Sequence, residues 1–198
     1  VLPGDTDMQP DMIWTKNRDT TDPHTIVDAV RGGGETIYPN STGAEDTHGL
    51  GLTAFNSDGY RVRTGANWNT NTEKYVGWCW KESATAGFDI VTYTGNGTDD
   101  TDISHNLSAV PHMIICKVRN VAGEQWKVYH HKNTSAPETD FLRLEDTAAT
   151  ADDASVWSDE APTSSVFTLG DTNGINQNTK LFVSYLWSEK QGFSKFGS

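Results

Sequence analysis

The chain has 198 residues, 35% of them hydrophobic, enough to fill the core of one large all-β domain or two small ones. Asp and Glu total 27 against 15 Lys and Arg; the formal charge of −12 repels phosphate backbones and argues against a nucleic-acid partner. No apolar run approaches the ~20 residues of a membrane span, which predicts a soluble chain without membrane insertion. The two cysteines, Cys79 and Cys116, fit neither a disulfide scaffold nor a zinc-ligand spacing and read as small buried hydrophobes.

The chain opens Val-Leu-Pro-Gly, without an initiator Met, a basic region or an apolar signal region, so it reads as a piece of a longer or processed polypeptide. Residues 10–18 (PDMIWTKNR) return as 111–119 (PHMIICKVR) with five of nine positions identical. Unrelated segments share about one such position. Residues 60–80 align without a gap on 167–187, keeping Asn69/Asn176, Asn71/Asn178, Thr72/Thr179, Val76/Val183 and Trp80/Trp187. Gly87-Phe88 returns as Gly192-Phe193. A fixed-order match of this kind marks a duplicated structural unit, and it sets a first unit at 1–87 and a second at 88–198, with loop insertions between residues 19 and 59.

In chain order, 24–32 (HTIVDAVRG) alternates so that His24, Ile26 and Asp28 share a face, with Arg31 nearby. Residues 75–80 (YVGWCW) put Val76, Trp78 and Trp80 on one face and Tyr75, Gly77 and Cys79 on the other; 182–187 repeats the pattern. Both faces carry apolar groups, which predicts a central strand covered on both sides. Residues 113–118, 126–130, 141–144, 166–169 and 181–187 are further short β-branched and aromatic runs between polar turns. The alanine-rich 147–155 has no apolar stripe and reads as a loop or single turn. The fold class that follows is all-β, an antiparallel β-sandwich of two tandem related units.

The chemistry such residues offer is sparse. His130 and His131 are adjacent, so on a strand they would point to opposite faces and could not share a metal. No Gly-x-Ser-x-Gly elbow occurs. The acidic clusters lie in turn-like text rather than as a carboxylate pair within an aromatic strand, which speaks against glycoside hydrolysis, so the chain reads as no enzyme. Asp99, Asp100 and Asp102 follow Gly95-Asn96-Gly97 and could offer oxygens to Ca2+, though without the closing Glu of an EF-hand; otherwise no cofactor is implied. His24, Asp28 and Arg31 could hydrogen-bond sugar hydroxyls or satisfy one another. Trp68, with Asn67, Asn69 and Asn71, offers a flat ring beside amides, suited to a pyranose; the recurrence of Asn69 and Asn71 as Asn176 and Asn178 fits a shared turn equally well.

The strings PDMIWTKNR, HTIVDAVRG, FNSDGY, YVGWCWK, GFDIVTYTGNGT, HNLSAVPHMIICKVR, WKVYHHK, APTSSVFTLG and GFSKFGS, in this order over nearly the whole chain, resemble a family of repeat-containing, tail-fibre-like proteins of marine tailed phages. The resemblance implies lectin-like sandwich units of jelly-roll or concanavalin type, located on the virion. It implies as partners other copies of the chain or other virion proteins, and host-surface polysaccharide. The alternatives are a purely structural decoration or spacer module, and a polysaccharide depolymerase.

The duplication also predicts an asymmetry. The first unit lacks, at its front, the strand that begins Gly87-Phe88 in the second, and the second carries a surplus Gly-Phe-Ser-Lys-Phe at its end. An exposed aromatic edge is costly, so the tail at 193–196 is expected to pair within the first unit or along its own unit's edge.

Overall fold

The computed structural model describes residues 7–192 and 194–197. Its described residues form mostly short antiparallel strands, with three single-turn α-helices and one 3-10 turn (Pro137–Thr139), and it divides into two compact units, Val1–Glu82 and Ser83–Ser198. Among the described residues no helix is long and apolar enough to cross a membrane.

In the first unit, β1 (Met12–Asn17) lies between β2 (Thr25–Asp28) and β7 (Tyr75–Trp80) in a three-stranded antiparallel sheet. Two small ribbons lie between β2 and β7 in the chain: β3 (Glu35–Thr36) with β4 (Asp46–Thr47), and β5 (Leu52–Asn56) with β6 (Gly59–Val62). The second ribbon turns through Ser57-Asp58, and the one-turn helix α1 (Ala66–Asn69) follows. The core is small: Ile13 and Val27 from the sheet, Leu52 from the ribbon and Trp68 from α1, with Phe55, Tyr60, Val62 and Cys79 at its margin.

The second unit has a four-stranded sheet in the order β11-β10-β15-β8, comprising β8 (Phe88–Thr94), β10 (Met113–Val118), β11 (Lys127–His130) and β15 (Leu181–Trp187). Two ribbons accompany it: β9 (Thr101–Ser104) with β14 (Val166–Leu169), and β12 (Asp140–Phe141) with β13 (Ala151–Asp152). The alanine-rich stretch holds β13 and the single turn α2 (Ala154–Trp157), begun by the Asp153 carboxylate accepting from the Ser155 N–H. A second turn, α3 (Asn173–Asn176), leads into β15. The core is larger here, with Ile114, Phe167, Phe182, Leu186 and Trp157 among its members.

Corresponding residues of the two units make corresponding bonds. Met12 lies opposite Trp80 as Met113 lies opposite Trp187, and Asn17 opposite Tyr75 as Val118 opposite Phe182. The N–H of Asp11 donates to the Trp80 carbonyl at 2.7 Å, and that of His112 to the Trp187 carbonyl at 2.7 Å. The turn helices close alike, Asn69 N–H to Gly65 O and Asn176 N–H to Thr172 O, both at 2.9 Å. Thr72 and Thr179 share a left-handed φ of 72° and 65°.

The expectation of a strand covered on both sides holds for β15 and fails for β7. Residues 182–187 are all buried, because β8 pairs with β15 along seven residues, from Phe88 opposite Trp187 to Thr94 opposite Leu181. Among the described residues β7 ends its sheet, pairing only with β1, and Gly77 and Trp78 are exposed. Alternation alone could not separate the two, since covering β7 depends on a neighbour outside its own text. The tail stays with its own unit. Lys190 and Ser194 form an isolated antiparallel bridge, and the Phe196 ring stacks on His112 at 5.9 Å. Phe193 lies outside the described residues.

Candidate functional site

The antiparallel register sets Trp14 of β1 directly opposite Trp78 of β7, and the period of two puts Trp80 on the same face. The Trp14 and Trp78 rings meet edge to face, centroids 6.4 Å apart at 77°. His24, one residue before β2, stands beside them and its Nδ1 accepts the Trp14 indole N–H at 3.0 Å. Burial first, and then the positive charge of Lys16, lowers the His24 pKa. The imidazole is therefore neutral near pH 7, and with Nδ1 accepting, its proton sits on Nε2 as a donor. Trp14, His24, Trp78 and Trp80 line a shallow recess of about 290 Å3. Trp78 is 45% exposed, unusual for so large an apolar side chain. Its counterpart Tyr185 is fully buried, as is Trp126, the residue matching His24. Flat apolar rings beside a neutral hydrogen-bond donor can stack on the C–H face of a sugar and bond one hydroxyl.

Of the residues singled out from sequence, only His24 belongs to this recess. The Asp28 and Arg31 side chains are fully buried and pair with each other, Arg31 Nε to Asp28 Oδ2 at 2.5 Å. Arg31 Nη1 also reaches Glu45 at 2.6 Å, so the pair braces the turn after β2 and does not reach His24's surface. Trp68 is 7% exposed, its ring in the first unit's core. Its edge and Asn67 line a separate recess of about 250 Å3 with His48, Leu50, Gly51, Gly65 and Ala66. Asn69 and Asn71 are exposed and take no part in that lining. Asp99 accepts from Ser158 Oγ at 2.6 Å and Asp100 is a turn residue with φ 59°, while Asp102, expected in a turn, lies on β9, opposite Thr168, whose Oγ1 donates to it at 3.0 Å. Among the described residues no three His, Cys, Asp or Glu side chains converge as metal ligands.

His130 and His131 do not point to opposite faces as a continuous strand would require. β11 ends at His130 and the chain turns, leaving the two rings 5.4 Å apart and the His131 ring 4.4 Å from His112. Burial, and next the charge of His131, lowers the pKa values of His112 and His130. The profile of a family described as a domain of unknown function (DUF7483) matches residues 4–198. The chain belongs to that DUF7483 family. No curated protein and no solved structure matches this DUF7483 chain. The sequence carries only the alternation that puts Trp78 and Trp80 on one face; that Trp14 lies opposite Trp78 follows from the pairing of β1 with β7, which no local run of residues specifies.

Proposed function

We propose that this DUF7483 chain is a non-enzymatic segment of a phage virion appendage, a tail fibre or spike, built of two tandem copies of one antiparallel β-sandwich unit. Its work is assembly with other copies or other virion proteins, and contact with host-surface glycan through the tryptophan recess of the first unit. The motif resemblance to tail-fibre-like proteins supports the setting, and the shared registers of the two units support the tandem reading. The observation that carries the binding role is the exposed Trp78 ring beside Trp14 and the neutral His24, on a face whose counterpart residues in the second unit are buried. A chain of charge −12 disfavours anionic polysaccharide, so the ligand class is a neutral glycan. Shallow sites of this kind bind weakly one at a time and act by repetition.

The test is a glycan array and host-envelope binding with the wild type and Trp78→Ala. Saturable binding, weakened at least about tenfold by the substitution, is the expected result. Binding to no glycan or envelope fraction favours a spacer or decoration module instead. That second reading is supported by the internal pairing of Asp28 with Arg31 and of Asp99 and Asp102 with hydroxyls. Release of reducing ends from host polysaccharide would favour a depolymerase.

A further inference from the structure

We infer that the outer edge of β7 is a docking site for one added antiparallel strand with the chemistry of β8, a polypeptide segment of the pattern Gly-Phe-Asp-Ile-Val-Thr-Tyr-Thr-Gly-Asn-Gly-Thr. The second unit supplies the template. There, β8 lies along β15, Tyr93 stacks on Phe182 with centroids 5.0 Å apart at 4°, and Phe88 packs on Trp187 at 5.1 Å. The strand is then clasped at its far end. Gly95 crosses so close to α3 that a Cβ would stand 2.3 Å from the Gln177 carbonyl. Asn176 accepts from the Asn96 N–H at 2.9 Å and donates to Asn96 Oδ1, the Thr98 carbonyl at 2.8 Å and the Gly170 carbonyl.

The first unit holds the receiving half of the same arrangement. Arg18 N–H donates to Lys74 O as Arg119 N–H donates to Leu181 O, each at the same place in the ladder. Antiparallel pairing alternates the direction of successive backbone groups, so Tyr75, Gly77 and Cys79 turn their N–H and C=O away from β1. In β15 the matching Phe182, Ser184 and Leu186 turn theirs toward β8, as does Ser188, whose N–H meets the Gly87 carbonyl at 2.9 Å. Among the described residues no strand pairs with β7 on that side. Asn69, the counterpart of Asn176, is exposed, and its side-chain amide has no protein partner among the described residues. A bare edge and an idle clasp, each occupied in the second unit by one continuous segment, specify that segment's chemistry: main-chain bonds for affinity, a Phe and a Tyr ring five residues apart on opposite faces, and an Asn to meet Asn69. By the template the docked Phe would rest on Trp80, as Phe88 rests on Trp187, so the strand would border the tryptophan recess; glycan binding is read on the array and strand docking by β7 amide protection, so the two can fail separately.

The test is titration of the full chain with a synthetic peptide of residues 87–98, capped at both ends, read by fluorescence anisotropy and residue-resolved amide exchange. Saturable binding with new protection at Gly77 and Cys79 is expected, weakened about tenfold by Asn69→Ala in the protein or by Asn96→Ala in the peptide. Asn69 is exposed, so that variant folds, and the peptide variants leave the protein untouched. The proposal is overturned by no binding at millimolar peptide, by protection lost from β15 as the peptide displaces β8, or by binding indifferent to both asparagine changes. It is equally overturned if β7 gains protection only as protein concentration rises, which would mean pairing of two β7 edges.

Discussion

Asn69 and Asn176 are the same letter at matching positions, and they do different work. Asn176 is 1% exposed and its amide joins β8's end to α3 and to Gly170; Asn69 meets solvent. Asn176→Ala leaves several buried backbone partners unsatisfied, and urea unfolding should show a loss of about 2–3 kcal/mol. Asn69→Ala should change stability by no more than about 0.5 kcal/mol. A large loss in Asn69→Ala, or none in Asn176→Ala, would contradict these roles. The recurrence of both residues was legible in the sequence and correctly suggested a shared turn. Which one is buried was not, because burial comes from the Gly95–Thr98 segment beside Asn176, and no such segment lies beside Asn69 among the described residues. Asp28 and Arg31 carry the same lesson: alternation placed them near His24, but a guanidinium three residues along folds back on its own carboxylate once Glu45 supplies a second acceptor.

At the scale of elements, the all-β class and the longer strands were legible from short alternating runs between polar turns; the run at 141–144 was overextended, since β12 spans Asp140–Phe141, and the short β3, β4, β9 and β13 were not read. The sheet order was not, because β8 follows β7 in the chain yet pairs with β15, a partner nearly a hundred residues away in sequence. Local text specifies a strand's faces, and its neighbours are chosen by contacts that no window contains. β8 should accordingly be the element on which the second unit's sheet depends. Phe88 is buried against Trp187, and Phe88→Ala should cost about 3–5 kcal/mol in equilibrium unfolding. A cost under 1 kcal/mol would show that β8 is a passive cover. The two-sided burial predicted for the tryptophan strand was right wherever β8 is present, and its failure on β7 is what leaves Trp78 exposed.

For the whole molecule, four histidines share one electrostatic bias. Burial lowers the pKa values of His24, His105, His112 and His130 from the ordinary 6.5. Below about 6.5 the unfolded chain takes up protons that the folded chain resists, so stability is full above that pH and is lost as pH falls through the folded values. Thermal melts between about pH 7 and pH 5 should show a falling midpoint, shallower in His112→Gln. A midpoint that is flat or rises on acidification would contradict the sign.

The account as a whole turns on one unit standing complete and its counterpart standing open along β7. Residue-resolved amide exchange on the intact chain reads this directly: the Gly77 and Cys79 amides should exchange at least about a hundredfold faster than those of Ser184 and Leu186. Equal, strong protection at all four would mean that the β7 edge is already paired, and would remove the basis for both the open tryptophan face and the docking strand.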